Sequence, residues 1–164
     1  MISKKFYEKN VLPSLINSTC SSRPIKKQKQ KVIPSAYGNV LEIGFGSGVN
    51  LQFYDKSATK KITGVDPSVE LHELAMTNAE GIDLDIELIK GSAEDLPFKN
   101  DTFDSIVCTY TLCSIPNPEI ALIEISRVLK QNGIFLTYRP CTNMAKTKLC
   151  LSQSQSQMIH KSWR

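Results

Sequence analysis

Val40-Leu41-Glu42-Ile43-Gly44-Phe45-Gly46-Ser47-Gly48 is the stretch on which the fold turns. A short β-rich run, Asn39–Ile43, stops abruptly at three glycines on alternate positions. Working outward, Lys61–Asp66 forms a second strand, and Pro67 opens a helical stretch to about Asn78. Ile86–Ile89 forms a third strand, ended by Lys90-Gly91. Ser105–Thr109 is almost continuously apolar, the pattern of a strand buried on both faces. Asn117-Pro118 starts a helix whose apolar face comprises Ile120, Leu122, Ile125, Val128 and Leu129. Asn132-Gly133 ends it, and Ile134–Tyr138 is a fifth strand. Strands alternating with helices at this spacing predict βαβ units, hence a parallel sheet covered on both faces. The fold class is therefore α/β, a doubly wound, mostly parallel sheet of about five strands.

The glycine turn is the candidate binding loop. Glycine there permits positive φ and lets a ligand approach backbone that a Cβ would shield. The spacing is G-x-G-x-G, with Val49 following Gly48, which departs from the G-x-G-x-x-G of dinucleotide enzymes. A plain tight turn is the alternative. Asp66 stands at the tip of the second strand, where open α/β sheets bind ligands. A carboxylate there can accept hydrogen bonds from both hydroxyls of a ribose, or it can cap the helix that begins at Pro67.

Three further segments follow in order: Gly91-Ser92-Ala93-Glu94-Asp95-Leu96-Pro97-Phe98, Phe103-Asp104-Ser105-Ile106-Val107, and Arg127–Gly133 (RVLKQNG). Together with VLEIGFGSG and GVDPS (Gly64–Ser68), they resemble the class I S-adenosylmethionine-dependent methyltransferases of the type 11 kind, over roughly residues 38–138. Cys108–Ile115 is similar to a subgroup containing thiol-methylating methyltransferase-like proteins and small bacterial homologues. The resemblance implies a Rossmann-like fold and S-adenosyl-L-methionine as cofactor. It further implies that Gly44, Gly46 and Gly48 shape the loop under the methionine part, with Glu42 tying that loop or the amino group. By the same resemblance Asp66 holds the ribose, Pro67 borders the adenine, and Ser92, Ala93 (through its N–H) and Glu94 face the adenine edge. Ser92 stands where family members often carry Asp or Asn. Thr109 and Tyr110 would lie beside the sulfonium and the incoming nucleophile. The methyl acceptor is expected to be a small molecule or a lipid. No catalytic residue is assigned, because the sulfonium is already an electrophile and positioning supplies most of the acceleration. His72 reads as a surface residue and Cys113 as a small buried hydrophobe.

Composition fits this class. Of the 164 residues, 41% are hydrophobic and 22% charged, which excludes wholesale disorder. Five cysteines without a CxxC pair argue against a disulfide framework or a zinc site. No run of about 18 apolar residues occurs, and no apolar stretch backs the lysines of the N-terminus, so a cytoplasmic protein is expected. Residues 1–37 carry eight Lys/Arg against one acid, residues 38–124 five against fifteen, and residues 125–164 seven against none. An acidic middle between basic ends does not suit a nucleic-acid module, so no nucleic-acid partner is expected. The basic ends are either solvated helix faces or a weak contact with an anionic membrane surface. Residues 1–37 are expected to form lid helices, the second from about Pro24 to Val32, with Lys26, Lys27, Lys29 and Lys31 facing solvent. Residues 139–164 have no glycine and no acid, and they include the polar tract Leu151–Gln157. They read as a low-complexity or disordered tail, a truncated, frame-shifted or variant end lacking the family's C-terminal strands, which would leave the fifth strand as an open edge. Two other functions stay open: a cofactor-binding pseudoenzyme or fragment without turnover, and a nucleotide-dependent oxidoreductase.

Overall fold

A computed structural model describes residues 23–138 and the strand at 157–160. Its helices are α1 (Arg23–Val32), α2 (Val69–Ala79) and α3 (Pro118–Val128). Its strands are β1 (Gly38–Ile43), β2 (Thr59–Asp66), β3 (Asp85–Lys90), β4 (Phe103–Thr109), β5 (Leu129–Tyr138) and β6 (Gln157–His160). They form one sheet in the order β3-β2-β1-β4-β5-β6, parallel throughout except for the antiparallel β5–β6 pair.

Each sheet face carries its own apolar layer, which is why the central strands are apolar on successive residues rather than on alternate ones. On one face Leu41, Ile43, Ile106 and Cys108 pack with Ala121, Ile125 and Val128 of α3. On the other, Val40, Ile62 and Val107 pack with Val32 of α1, Ala75 of α2 and the glycine-loop residue Phe45. The strand order reverses between β1 and β4, whose connections leave on opposite faces, so a crevice opens between the C-terminal ends of these two strands.

Several details depart from the sequence reading. The third helix stops at Val128, and Leu129–Asn132 already belongs to β5. Leu129 pairs with Phe103, yet Ser105 pairs with Ile134, so β5 bulges between them. Gly133 serves this bulge rather than a helix cap: a Cβ on it would lie 3.0 Å from the Asp104 carbonyl and 2.5 Å from Leu129. The buried stripe of α3 is Ala121, Ile125 and Val128, while Ile120 is 48% exposed. The fully buried residues fall at i, i+4 and i+7, with Leu122 packed partly buried beside them.

The fifth strand is not an open edge. Gln157–His160, inside the segment read as a tail, pairs antiparallel with Ile134–Thr137 and so satisfies backbone groups that β5 would otherwise present. That corrects the expectation of a wholly unstructured end; residues 139–156 and 161–164 lie outside the described residues. The first expected lid helix also lies outside them. The second is α1, which packs onto the sheet through Val32, followed by Ile33 and Ala36. Lys27 and Lys31 are exposed as expected, but Lys29 is only 3% exposed and points inward. No helix among the described residues is long and apolar enough to cross a membrane.

Candidate functional site: the cofactor crevice

All three loop glycines adopt positive φ, at 72° for Gly44, 56° for Gly46 and 72° for Gly48. They differ in what surrounds them. A Cβ on Gly44 would overlap the Thr111 side chain, whereas one on Gly46 would come no nearer than 4.0 Å to any atom, the Gly44 carbonyl. Gly44 therefore serves packing, and Gly46 leaves open space in front of the loop for a ligand.

Asp66 fixes this loop. One carboxylate oxygen accepts from the Gly46 N–H at 2.9 Å and the other from the Ser68 N–H at 2.9 Å. The helix-capping alternative is thus realised in part, because Ser68 immediately precedes α2. A carboxylate has about four acceptor positions, so both oxygens keep a lone pair for a ligand's hydroxyls. Pro67 is exposed beside it. The third-strand segment adjoins the same tip, where the Gly91 N–H donates to the Asp66 carbonyl at 3.3 Å.

Beyond Gly91 the three adenine-edge candidates divide. Ala93 turns its side chain into the core with Leu41 and Ile106. Ser92 donates to Glu94 at 2.9 Å, and Glu94 in turn accepts from the Asn117 N–H at 2.8 Å at the start of α3. The Ser92 hydroxyl, then Asn117, hold the Glu94 carboxyl below its ordinary range. In the protein as described, Ser92 and Glu94 brace a helix end.

At the switch point a buried polar cluster joins β1 to β4. Glu42, 1% exposed, accepts from the Tyr54 hydroxyl at 2.6 Å and from Asn50 Nδ2 at 2.7 Å. Asn50 Nδ2 also reaches Thr109 Oγ1 at 3.1 Å, so one amide spans the ends of both strands. Burial raises Glu42 to about 7, although the Tyr54 and Asn50 hydrogen bonds and the charge of Lys29 pull the other way. Burial and the neighbouring carboxylate push the Tyr54 phenol well up. Asn50 Oδ1 is enclosed and has no hydrogen-bond partner. Such an atom costs about 1–3 kcal/mol when left unsatisfied, so its place calls for a donor.

Tyr110 follows Thr109 with φ 61°, a left-handed conformation that a bulky residue rarely adopts. Its N–H bonds to the Tyr138 carbonyl at 3.0 Å, and its ring lies 5.0 Å from that of Tyr138. Lys29 reaches over the Tyr110 ring, 6.0 Å from its centre, so α1 meets the chain just past the end of β4. Backbone held this way at a strand tip is typical of functional sites.

Asn50 and Tyr54 were not singled out in the sequence, and Lys29 was expected to face solvent. Asn50 and Tyr54 flank a single turn of 3₁₀ helix, Leu51–Phe53, that folds them back onto Glu42. No periodicity announces that return. Cys113 is exposed rather than buried. Cys108 is the buried thiol, pushed up to about 12 by burial and hence inert. His72 is half-buried, with its Nε2 enclosed.

Residues 41–137 match the model of the methyltransferase domain family. The chain belongs to that family. A phosphatidylethanolamine N-methyltransferase from Cereibacter sphaeroides is 34% identical over 58% of this chain and 47% of its own length. A mouse thiol S-methyltransferase, TMT1B, is 36% identical over 63% of this chain and 44% of its own. The crystal structure of the YcgJ protein from Bacillus subtilis superposes with a TM-score of 0.57 at 31% identity, covering 76% of this chain and 48% of that one. The chain thus spans about half the length of these relatives. Membership brings S-adenosylmethionine as the cofactor, and the residues fit it: open space lies before Gly46, and Asp66, which tethers that glycine, keeps acceptor capacity.

Proposed function

We propose that this methyltransferase domain moves a methyl group from S-adenosylmethionine to a small-molecule or lipid nucleophile. The cofactor supplies an activated methyl on a sulfonium. The observation that carries the reading is the pairing of a rigid glycine cradle with Asp66, at the carboxyl end of a sheet whose strand order reverses beside it. Asp66 holds Gly46 in place and keeps acceptor capacity for the ribose hydroxyls. Glu42, Asn50 and Thr109 line the floor between β1 and β4, where the methionine part belongs. Tyr110 and Tyr138 form an aromatic wall that excludes water and aligns the acceptor, which is what a methyl electrophile chiefly requires. Support for the acceptor class comes from the relatives, one acting on a phospholipid amine and one on thiols by their names. The exposed Lys27 and Lys31 of α1 would favour a weak contact with an anionic membrane carrying such a lipid.

Calorimetry with S-adenosylmethionine and NAD, followed by methyl-transfer assays on thiols and phosphatidylethanolamine vesicles, tests the reading. S-adenosylmethionine is expected to bind and NAD not. Binding of NAD alone would overturn the assignment, and binding of S-adenosylmethionine without transfer to either acceptor would overturn the acceptor class.

A further inference from the structure

β3 is the terminal strand of the sheet, and among the described residues no strand pairs with its outer side. One bond sets the direction of its backbone groups. The Gly91 N–H donates inward to the Asp66 carbonyl of β2, and N–H groups alternate sides along a strand, so those of Glu87 and Ile89 also point to β2. The N–H and C=O of Ile86, Leu88 and Lys90 therefore point outward, a short ladder open to another strand. Side chains alternate as well, between the two faces of the sheet. Ile86 and Leu88 lie on the face covered by α2. There Met76, Ala79 and Glu80, with Ile82, Leu84 and Ile86, line a groove of about 220 Å³. Met76 is 50% exposed at its rim. Ile89, and with it Asp85 and Glu87, belongs to the opposite face, and both acids are exposed, as are Glu80 and Asp83 just before the strand. Lys61 bonds to Glu87 at 2.8 Å and reaches Asp85 at 4.0 Å, but one lysine leaves this edge acidic.

We propose that the β3 edge is a docking site for a partner protein, which adds to the sheet one extended segment of alternating basic and apolar residues. Main-chain bonds to Ile86, Leu88 and Lys90 supply affinity, and the two faces supply specificity. On one face the segment's apolar side chains fall beside Ile86 and Leu88 and over the groove, where the flexible thioether of Met76 adapts to them. On the other face its basic side chains fall beside Asp85 and Glu87. Charge selects this occupant over the others. A second copy pairing β3 against β3 about a two-fold axis sets Asp85 and Glu87 of one copy against the same acids of the other, which is unfavourable. Nucleic acid and anionic lipid are repelled by the same acids. β3 and β2 separate the docked segment from the crevice between β1 and β4, so partner and cofactor can be held together. The proposal does not depend on what the crevice binds.

The probe is a blocked peptide of alternating lysine and valine, about eight residues long to match a strand, with a glutamate–valine peptide of equal length as control. Amide exchange of the full chain, followed by NMR, reads the edge directly. In the free protein the amides of Ile86, Leu88 and Lys90 are expected to exchange fast, and those of Glu87 and Ile89 slowly. The lysine–valine peptide is expected to bind and to slow Ile86, Leu88 and Lys90 about tenfold or more, with Glu87 and Ile89 unchanged. The glutamate–valine peptide is expected not to bind. Asp85→Lys should weaken the lysine–valine peptide about tenfold, and Met76→Lys should weaken it too. Both variants should keep the wild-type melting temperature, since both side chains are exposed. Other occupants show themselves in the same measurements, and each overturns the proposal. Slow exchange at Ile86, Leu88 and Lys90 in the free monomer means that the chain covers its own edge. Slowing that grows with protein concentration, with dimers in sedimentation, means that a second copy does. Peptide binding that leaves these amides fast, or that ignores Asp85→Lys, is charge attraction without strand addition. Absence of binding at millimolar peptide overturns it outright.

Discussion

Replacing Glu42 by Gln in the ligand-free protein should change how stability depends on pH, in a direction and amount set by the burial of this one carboxyl. In the folded state Glu42 is raised from 4.5 to about 7, with desolvation the largest cause. A carboxyl whose proton is held more tightly in the folded state stabilises the fold below its unfolded value, and that contribution is lost as pH rises through the folded one. The window is therefore pH 5 to 8, and the displacement corresponds to about 2–3 kcal/mol across it. For a chain of this size that amounts to roughly 5–10 °C of melting temperature. Asp104 and Glu124 act with the opposite sign, at more acid pH: burial raises the Asp104 carboxyl, but the Lys130 and Asn39 hydrogen bonds and the nearby lysine charges outweigh it, and Arg127 holds Glu124 low. Cys108 and Tyr54 act only in the alkaline range. Thermal unfolding of wild type and Glu42→Gln at half-unit steps from pH 5 to 8 should show the wild type losing stability as pH rises and the variant nearly flat. Gln has the shape and neutrality of the protonated carboxyl, and Asn50 can turn its amide to meet it. Parallel curves for the two proteins would refute the reasoning, since they would mean that Glu42 is not desolvated in the fold.

The glycine loop yields a paired test by circular dichroism and calorimetry. Gly44→Val should destabilise the fold by overlap with Thr111, whereas Gly46→Val, facing open space, should stay folded at a cost of about 1–2 kcal/mol for its left-handed backbone and lose the cofactor. Normal cofactor affinity in Gly46→Val would remove Gly46 from the site. Asp66→Ala should weaken S-adenosylmethionine about tenfold or more, because the ribose acceptor and the tether on Gly46 disappear together; unchanged affinity in a folded variant leaves Asp66 a cap alone. A chain ending at Pro140 should still bind the cofactor, since the residues lining the crevice fall at or before Tyr138, but it exposes the β5 edge and should self-associate in sedimentation experiments. A monomeric truncated chain with undiminished stability would mean that β6 contributes nothing.

Much of the molecule was legible in the chain itself. The parallel strands, their alternation with helices and the glycine turn are local patterns, and each declares itself within about ten residues. Apolar runs mark strands buried on two faces, and alternate glycines mark backbone that must turn left-handed. Asp66 was legible too, because the tip of the strand beside the loop is a fixed place in any doubly wound sheet. The resemblance of five ordered segments added the family and its cofactor.

What the sequence could not show depends on residues that meet only after folding. Arg127, quoted as part of a motif, turns out to donate to the carbonyls of Leu96 and Phe98 and to Glu124, pinning the loop after the third strand. The inward turn of Lys29 follows from how α1 seats on the sheet, and a basic helix looks the same in sequence whether or not one lysine is buried. The helix end at Val128 and the bulge at Gly133 arise from pairing with Phe103 and Ser105, more than twenty residues away. Above all, the amide of Asn50 bridging Glu42 and Thr109 exists because β1 and β4 lie side by side. Local spacing determined which elements form and where the glycine loop sits, since those choices are governed by neighbours along the chain. The protonation of Glu42, and with it the charge the crevice presents, was decided by tertiary structure, because desolvation is a property of everything packed around the carboxyl.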